Sequence, residues 1–212
     1  MNLKLYSNNL EDYLKCDDII DYNDDAVRKV ADTLYNEAGA SPENTTPFIK
    51  SAYEFVRDSI RHSADINADK VTVSASDVLK ARHGICFAKS HLLVAIIRNK
   101  SVPAGFCYQK IVMDDDTAPV LIYHGLNAVY IRDCHKWVRL DARGNKPGIT
   151  AEFSIDSEKL AYQIRSDKGE EDGIIVYPNP DTLVVNTMRQ YNSRAQLWRH
   201  LPAELGHDRD VF

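Results

Sequence analysis

Only four cysteines stand in the 212 residues, at positions 16, 86, 107 and 134. So few, so irregularly spaced, exclude a disulfide framework, and without a CxxC pair the usual opening of a zinc site is missing. Reducing conditions and a cytoplasmic location are the expectation. No apolar run reaches the roughly 18–20 residues that a membrane-spanning helix needs. The opening MNLKLYSNNLEDYLKCDD puts one lysine before an apolar stretch that breaks off at once, so neither a signal peptide nor an anchor is expected. Positive charge is not in excess either. Lys and Arg number 26 against 31 Asp and Glu, a net −5, with no basic stripe interleaved with aromatics. That excludes a general nucleic-acid binder. Glycine and proline are scarce, and repeats, low-complexity tracts and long linkers are lacking. A single domain over 1–212 is the economical expectation. It divides into a helical region 1–44, a core 45–145, and strands and a helix over 146–212.

What is present changes character along the chain. Apolar residues from Ala26 to Ala38 recur at the spacing of one helix face, with Gly39 as a stop. Thr46 reads as an N-cap with Pro47 in the first turn, opening a second helix whose apolar positions run from Phe48 to Ile60. Residues 62–75 read as a loop, and 76–82 as a short helix ended by Gly84. A long helix starts at or just before Cys86 and runs to about Asn99, nearly ringed by apolar residues, which predicts a central, buried position. Segments 105–112, 120–131 and 136–141 are rich in β-branched and aromatic residues and read as strands, with a polar turn over 113–119. Short strands are expected near 151–155 and 173–177, with the charged loop SDKGEED between. One last helix is expected from Pro178–Asp181 to about Leu201. The class is α+β: helices packed on an antiparallel sheet.

Chemistry concentrates at three residues. A cysteine opening a buried helix meets unpaired amides and the positive end of the helix dipole, which favour thiolate. Gly84 lets the chain approach closely just before it. If the turn after the second strand is Arg132–His135, tipped by Asp133 and Cys134, opposed residues have numbers summing to 267. Leu126 then faces Asp141, and His124 lies one diagonal away on the same face, within side-chain reach. An imidazole–carboxylate pair there would fix the histidine tautomer. A one-residue slip would separate them. Taken singly, each residue has a plainer reading: a core cysteine, a strand histidine, a strand-end aspartate.

The stretches DVLKARHGICFAKSHLLVAIIRNKSVPAGF and YHGLNAVYIRDCHKWVRLDARGN, in this order, resemble the core of transglutaminase-like proteins. The matching features are the glycine two before Cys86, the Arg98-to-Ala104 link into the first strand, and His124, Trp137 and Asp141 in the second block. The resemblance covers roughly 53–145 and implies a papain-like fold with a Cys86–His124–Asp141 triad. It implies acyl transfer through a thioester on a peptide, protein or small-amide substrate. Neither metal nor organic cofactor is implied, and no nucleic-acid or membrane partner. The oxyanion would be held by the Cys86 N–H and a side-chain donor from the preceding region, where Tyr53 and His62 are candidates that read equally as packing or loop residues. Two departures stand out: Leu126 where an aromatic residue is usual, at the floor of the cleft, and Ala142–Arg143 where a proline or small residue and a threonine are usual. Hydrolysis is expected over cross-linking, since no further domain is legible to hold a second protein.

Three rival readings remain. A metal site from His83, Cys86 and His91 is disfavoured, because residues five apart on a helix point about 140° apart. A binding module could keep the fold without turnover. An arylamine acetyltransferase or a glycoprotein amidase would use the same triad, but neither cofactor site nor glycan site is legible. Trp137 and Trp198 read as packing residues, Trp137 with a possible place beside the triad. Cys107 reads as core or cleft wall, Cys134 as exposed at a hairpin tip, and the acidic run Asp114–Asp116 as a solvated turn.

Overall fold

The computed structural model describes residues 2–113 and 120–209, so the acidic run Asp114–Asp116 and most of its turn lie outside the described residues. The chain begins with strand β1 (Lys4–Leu5), a 3-10 turn (Leu10–Leu14), and helices α1 (Asp25–Glu37) and α2 (Thr46–Glu54). A π-helical turn (Phe55–Ser59), strand β2 (Arg61–His62), helix α3 (Ala75–Ala81), strand β3 (His83–Gly84) and helix α4 (Cys86–Asn99) follow. Then come strands β4 (Ala104–Val112), β5 (Leu121–Ile131), β6 (Lys136–Leu140), β7 (Glu171–Asp172) and β8 (Ile175–Val176). Helices α5 (Thr182–Gln190) and α6 (Arg194–Trp198) come last among the longer elements.

Helix α4 is the axis of the molecule. Every residue from Phe87 to Arg98 is buried, as its apolar ring requires. It packs between α1–α3 and an antiparallel sheet of order β6–β5–β4–β7. The large apolar cluster lies around it, from Ile20, Val27 and Phe48 to Ile96, Val129 and Val184. A smaller cluster with Tyr13, Cys107, Leu126 and Val176 forms separately. This is the expected α+β, papain-like arrangement. Among the described residues, no helix is long and apolar enough to cross a membrane.

The β5–β6 ladder pairs Asn127 with Leu140 through Ile131 with Lys136, the register in which the numbers sum to 267. Its turn is a single 3-10 turn, Arg132–Cys134, closed by His135 at φ 50°, in place of a two-residue tip.

Several elements differ from the sequence expectation. The first 24 residues add β1 and a 3-10 turn but no α-helix to the region read as helical. The N-cap of α2 is Thr45, one residue early, and Pro47 does sit in the first turn. The helix expected to reach Ile60 widens into the π turn after Glu54, because the buried Lys89 ammonium takes the carbonyls of Arg57 (3.3 Å) and Ile60. Helix α3 ends at Arg82, in the left-handed region at φ 60°, while Gly84 belongs to β3. No strand forms over 151–155. The Ala151 N–H is taken by the Asn145 Oδ1 (2.8 Å), and its carbonyl accepts from Asn145 (3.2 Å) and Arg57 (3.1 Å). Part of the loop SDKGEED becomes β7, paired with Gln109 and Lys110. The single last helix is two: Tyr191 is extended, and Ser193 re-caps the chain by accepting the Gln196 N–H at 3.3 Å.

Candidate active site

Cys86 is the first residue of α4 and is half-buried. Ile85 precedes it in extended conformation and has no polar atom to cap with, so the first-turn amides carry no side-chain cap. The first intrahelical bond joins the Lys89 N–H to the Ile85 carbonyl at 2.9 Å. The positive end of the dipole is therefore open at Cys86. Two glycines set the approach. A Cβ on Gly84 would lie 3.0 Å from the Ala88 Cβ and 3.2 Å from the Thr72 Oγ1. A Cβ on Gly125 would lie 2.5 Å from the Phe87 Cδ1. The start of α4 thus rests directly on β5, next to His124.

His124 and Asp141 meet as the register requires. The His124 Nε2 stands 2.9 Å from the Asp141 Oδ2, both groups buried. Asp141 also accepts the backbone N–H groups of Arg143 and Ala161, each at 3.1 Å. Burial alone would raise this carboxyl, but the His124 charge and these donors hold it below its ordinary value. Burial alone would likewise lower His124, but Asp141 and then Cys86 outweigh it and lift the imidazole to about 10. With Nε2 on the carboxylate, Nδ1 is the ring atom left for the sulfur. All three residues singled out in the sequence are thus brought together.

The surroundings hold what the sequence reading missed. Tyr162 meets the His124 ring edge-on, with centroids 4.8 Å apart, directly after the Ala161 amide that binds Asp141. Burial pushes its phenol up to about 12. Arg143 grips Asp65 with two bonds of 2.5 and 2.9 Å, and Lys146 stands 3.3 Å from the same carboxylate. Desolvation opposes these cations, yet they bring Asp65 down to about 2. Tyr162 lies in a segment with no periodicity, so no sequence signal could have placed it, and Arg143 shows in the sequence only as a departure from the usual residues after Asp141. Lys89, one turn after Cys86, is fully buried, and burial and then the Arg143 charge depress it to about 7.

The sulfur opens into a cavity of about 710 Å³. Its lining includes apolar residues, among them Phe87, Ile111, Ile122 and Leu201, and polar ones, among them His62, Asp65, Arg143 and Lys146. Trp198, read as packing, lines this cavity, whereas Trp137 packs on Tyr13 at 4.8 Å and does not. Leu126 lies in the smaller apolar cluster and away from the cavity lining. The histidines nearest Cys86 in sequence have other partners: His83 with Ser63 at 3.0 Å and His91 with the Val73 carbonyl at 2.7 Å. Among the described residues, no group of three His, Cys, Asp or Glu side chains is arranged to hold a metal ion. Cys107 is buried and its thiol is pushed up to about 12, while Cys134 is exposed.

Residues 21–142 match the family model described as the transglutaminase-like superfamily. No curated protein matches this chain. One solved structure, a candidate cysteine protease from Cytophaga hutchinsonii, is similar at 20% identity and a TM-score of 0.48. The match covers 65% of this chain and 43% of that one, so the chain spans less than half the length of that protein.

Proposed function

This chain belongs to the transglutaminase-like superfamily, and on that premise we propose that it is a cysteine-dependent acyl-transfer enzyme, with Cys86 as nucleophile, His124 as acid–base and Asp141 as orienting carboxylate. The observation that carries the reading is the 2.9 Å His124–Asp141 bond, on the histidine whose charge Cys86 also favours, in the cavity that Cys86 opens into. A buried carboxylate with three donors cannot drift, so it fixes the imidazole tautomer and orientation.

In the proposed reaction, the Cys86 thiolate attacks the carbonyl carbon of a peptide or other amide. The C–S bond forms while the carbonyl electron pair moves onto oxygen, beside the open amides of α4. The C–N bond then breaks, and His124 gives its proton to the departing amine, leaving a thioester. Water attacks the thioester as His124 takes a proton back, and Cys86 leaves as thiolate with a carboxylic acid as product. Hydrolysis is the favoured outcome, since the polar side chains of His62, Asp65, Arg143 and Lys146 line the cavity and can hydrogen-bond an attacking water.

Iodoacetamide labelling of Cys86 against pH, read by mass spectrometry, tests this. A labelling profile altered by His124→Ala is the expected result. A profile indifferent to that substitution would leave a binding module on the same fold as the better reading.

A further inference from the structure

Arg143 and His62 are 4% and 7% exposed, and each keeps a nitrogen without a hydrogen-bond partner among the described residues, Nε of Arg143 and Nδ1 of His62. Burying such a group unpaired costs stability, which a ligand with acceptor oxygens would recover. Both residues line the cavity of Cys86. His62 also lines a second cavity of about 580 Å³, which shares Ala64, Asp65 and Lys146 with the first.

The second cavity has an excess of positive charge. Its charged walls are Arg57, Arg61 and Lys146 against Asp58 and Asp65, and both carboxylates are already taken. Asp58 accepts two bonds of 2.7 Å from Arg57, and Asp65 is shared by Arg143 and Lys146. Arg57 also lies over the ring of Tyr53, which is fully buried and lines neither cavity. Arg61 is exposed, and among the described residues its guanidinium has no ion pair or hydrogen bond. Its backbone is fixed by the β2–β3 ladder, with the Arg61 N–H on the Arg82 carbonyl at 3.0 Å. Behind the wall, the Lys89 Nζ stands 3.3 Å from where a Cβ on the lining residue Gly144 would be, and adds positive charge when protonated. Burial and then the Arg143 charge, against the pull of Asp65, keep the His62 ring well below its ordinary value, so it stays neutral with one N–H to donate.

We propose that this second cavity binds a carboxylate of the substrate while the scissile amide lies at Cys86, so that the enzyme selects peptides or other amides that carry an acidic group. This rests on Cys86 being the nucleophile. Arg61 and Lys146 supply the charge, and the unpaired nitrogen of His62 lies where the two cavities adjoin. A carboxylate offers two acceptor oxygens to such donors, and its bonds to them are about twice as strong as those of a neutral carbonyl. The carboxylate belongs either to the end of a peptide or to an Asp or Glu side chain; the chemistry that recognises it is the same.

Protection of Cys86 from iodoacetamide, read by mass spectrometry, tests this without requiring turnover. The probes are N-acetyl-trialanine with a free carboxylate, its C-terminal amide, and the amide of N-acetyl-Ala-Glu-Ala. At least one of the two acids should protect at a concentration about tenfold lower than the neutral amide, the least expected of a charge-assisted hydrogen bond. Protection by the first acid assigns a terminal carboxylate, and by the second an acidic side chain. Arg61→Gln and Lys146→Gln, each compared with its own unprotected labelling rate, should narrow the gap, and Arg61→Lys should keep most of it. Acids that protect no better than the amide overturn the proposal, as does a gap that survives both glutamine substitutions. Labelling that ignores His124→Ala would instead sink the nucleophile assignment, and it leaves the protection result readable.

Discussion

The helix–sheet half of the molecule and the irregular segment from 141 to 165 both reach the candidate site, but they hold it differently. In the first half, position follows from burial and backbone ladders. Helix α4 is enclosed along its length, Phe87 rests on Gly125, and the β5–β6 register carries His124 to Asp141. In the second, position follows from single polar contacts: Arg143 on Asp65, Asn145 on Ala151, the Ala161 amide on Asp141, and Tyr162 against His124. The contrast teaches a division of labour. The regular half decides where Cys86, His124 and Asp141 stand, and the irregular half decides how they are charged and covered.

The sharpest break is at the junction. Asp141→Asn keeps the shape but loses the charge that fixes His124, and acylation by p-nitrophenyl acetate should fall by about 10³- to 10⁴-fold. A fall below tenfold would mean that the register alone positions the imidazole.

Two buried cations test the charge-setting role through stability. His124, raised from 6.5 to about 10, adds stability that is complete below pH 6.5 and is lost as pH climbs through about 10. Lys89, depressed from 10.5 to about 7, works in the opposite direction: its cost is full below about pH 7 and disappears as pH approaches 10.5. The slopes oppose each other between pH 7 and 10. Urea unfolding of Lys89→Met should therefore show stability falling from pH 7 to 9, and His124→Ala should show it rising, each by a few kcal/mol. Parallel slopes in the two variants would contradict the assignment.

Gly125→Ala probes the regular half by placing a methyl group 2.5 Å from the Phe87 ring. Overpacking should cost about 1–3 kcal/mol in unfolding free energy, and iodoacetamide labelling of Cys86 should lose its dependence on His124 as the helix is pushed away. Unaltered labelling would show that Phe87 can yield without moving the sulfur. The smallest effect belongs to the irregular half. Tyr162→Phe keeps the ring on His124 and should change stability by less than about 1.5 kcal/mol, the range of one hydrogen bond, while Tyr162→Ala should slow acylation more than Tyr162→Phe.

The elements best legible in the sequence are those whose residues report on themselves. The ring of apolar residues in α4 states that it is central, and the alternating runs of β4 to β6 state that they are strands. The turn hypothesis at Arg132–His135 was enough to set His124 beside Asp141, because side-chain period and register leave few alternatives. Where a partner distant in sequence intervenes, legibility ends. The π turn depends on Lys89 reaching carbonyls 29 and 32 residues earlier. The absence of a strand over 151–155 depends on Asn145 and Arg57 occupying backbone groups that a ladder would need. The break in the last helix was open to a closer reading, since Ser193 is a good N-cap, but its bridge to Lys70 was not.

The amino-acid sequence by itself determined the α+β class, the buried central helix, and the order and spacing of Cys86, His124 and Asp141, because local periodicity and strand pairing are properties of neighbouring residues. Only the tertiary structure decided that His62 enters the cavity while Tyr53 does not, that Trp198 lines it, and that Arg143 and Tyr162 stand around His124. Those placements arise from contacts between segments far apart in the chain, where desolvation and charge pairing, rather than any local preference, select the arrangement.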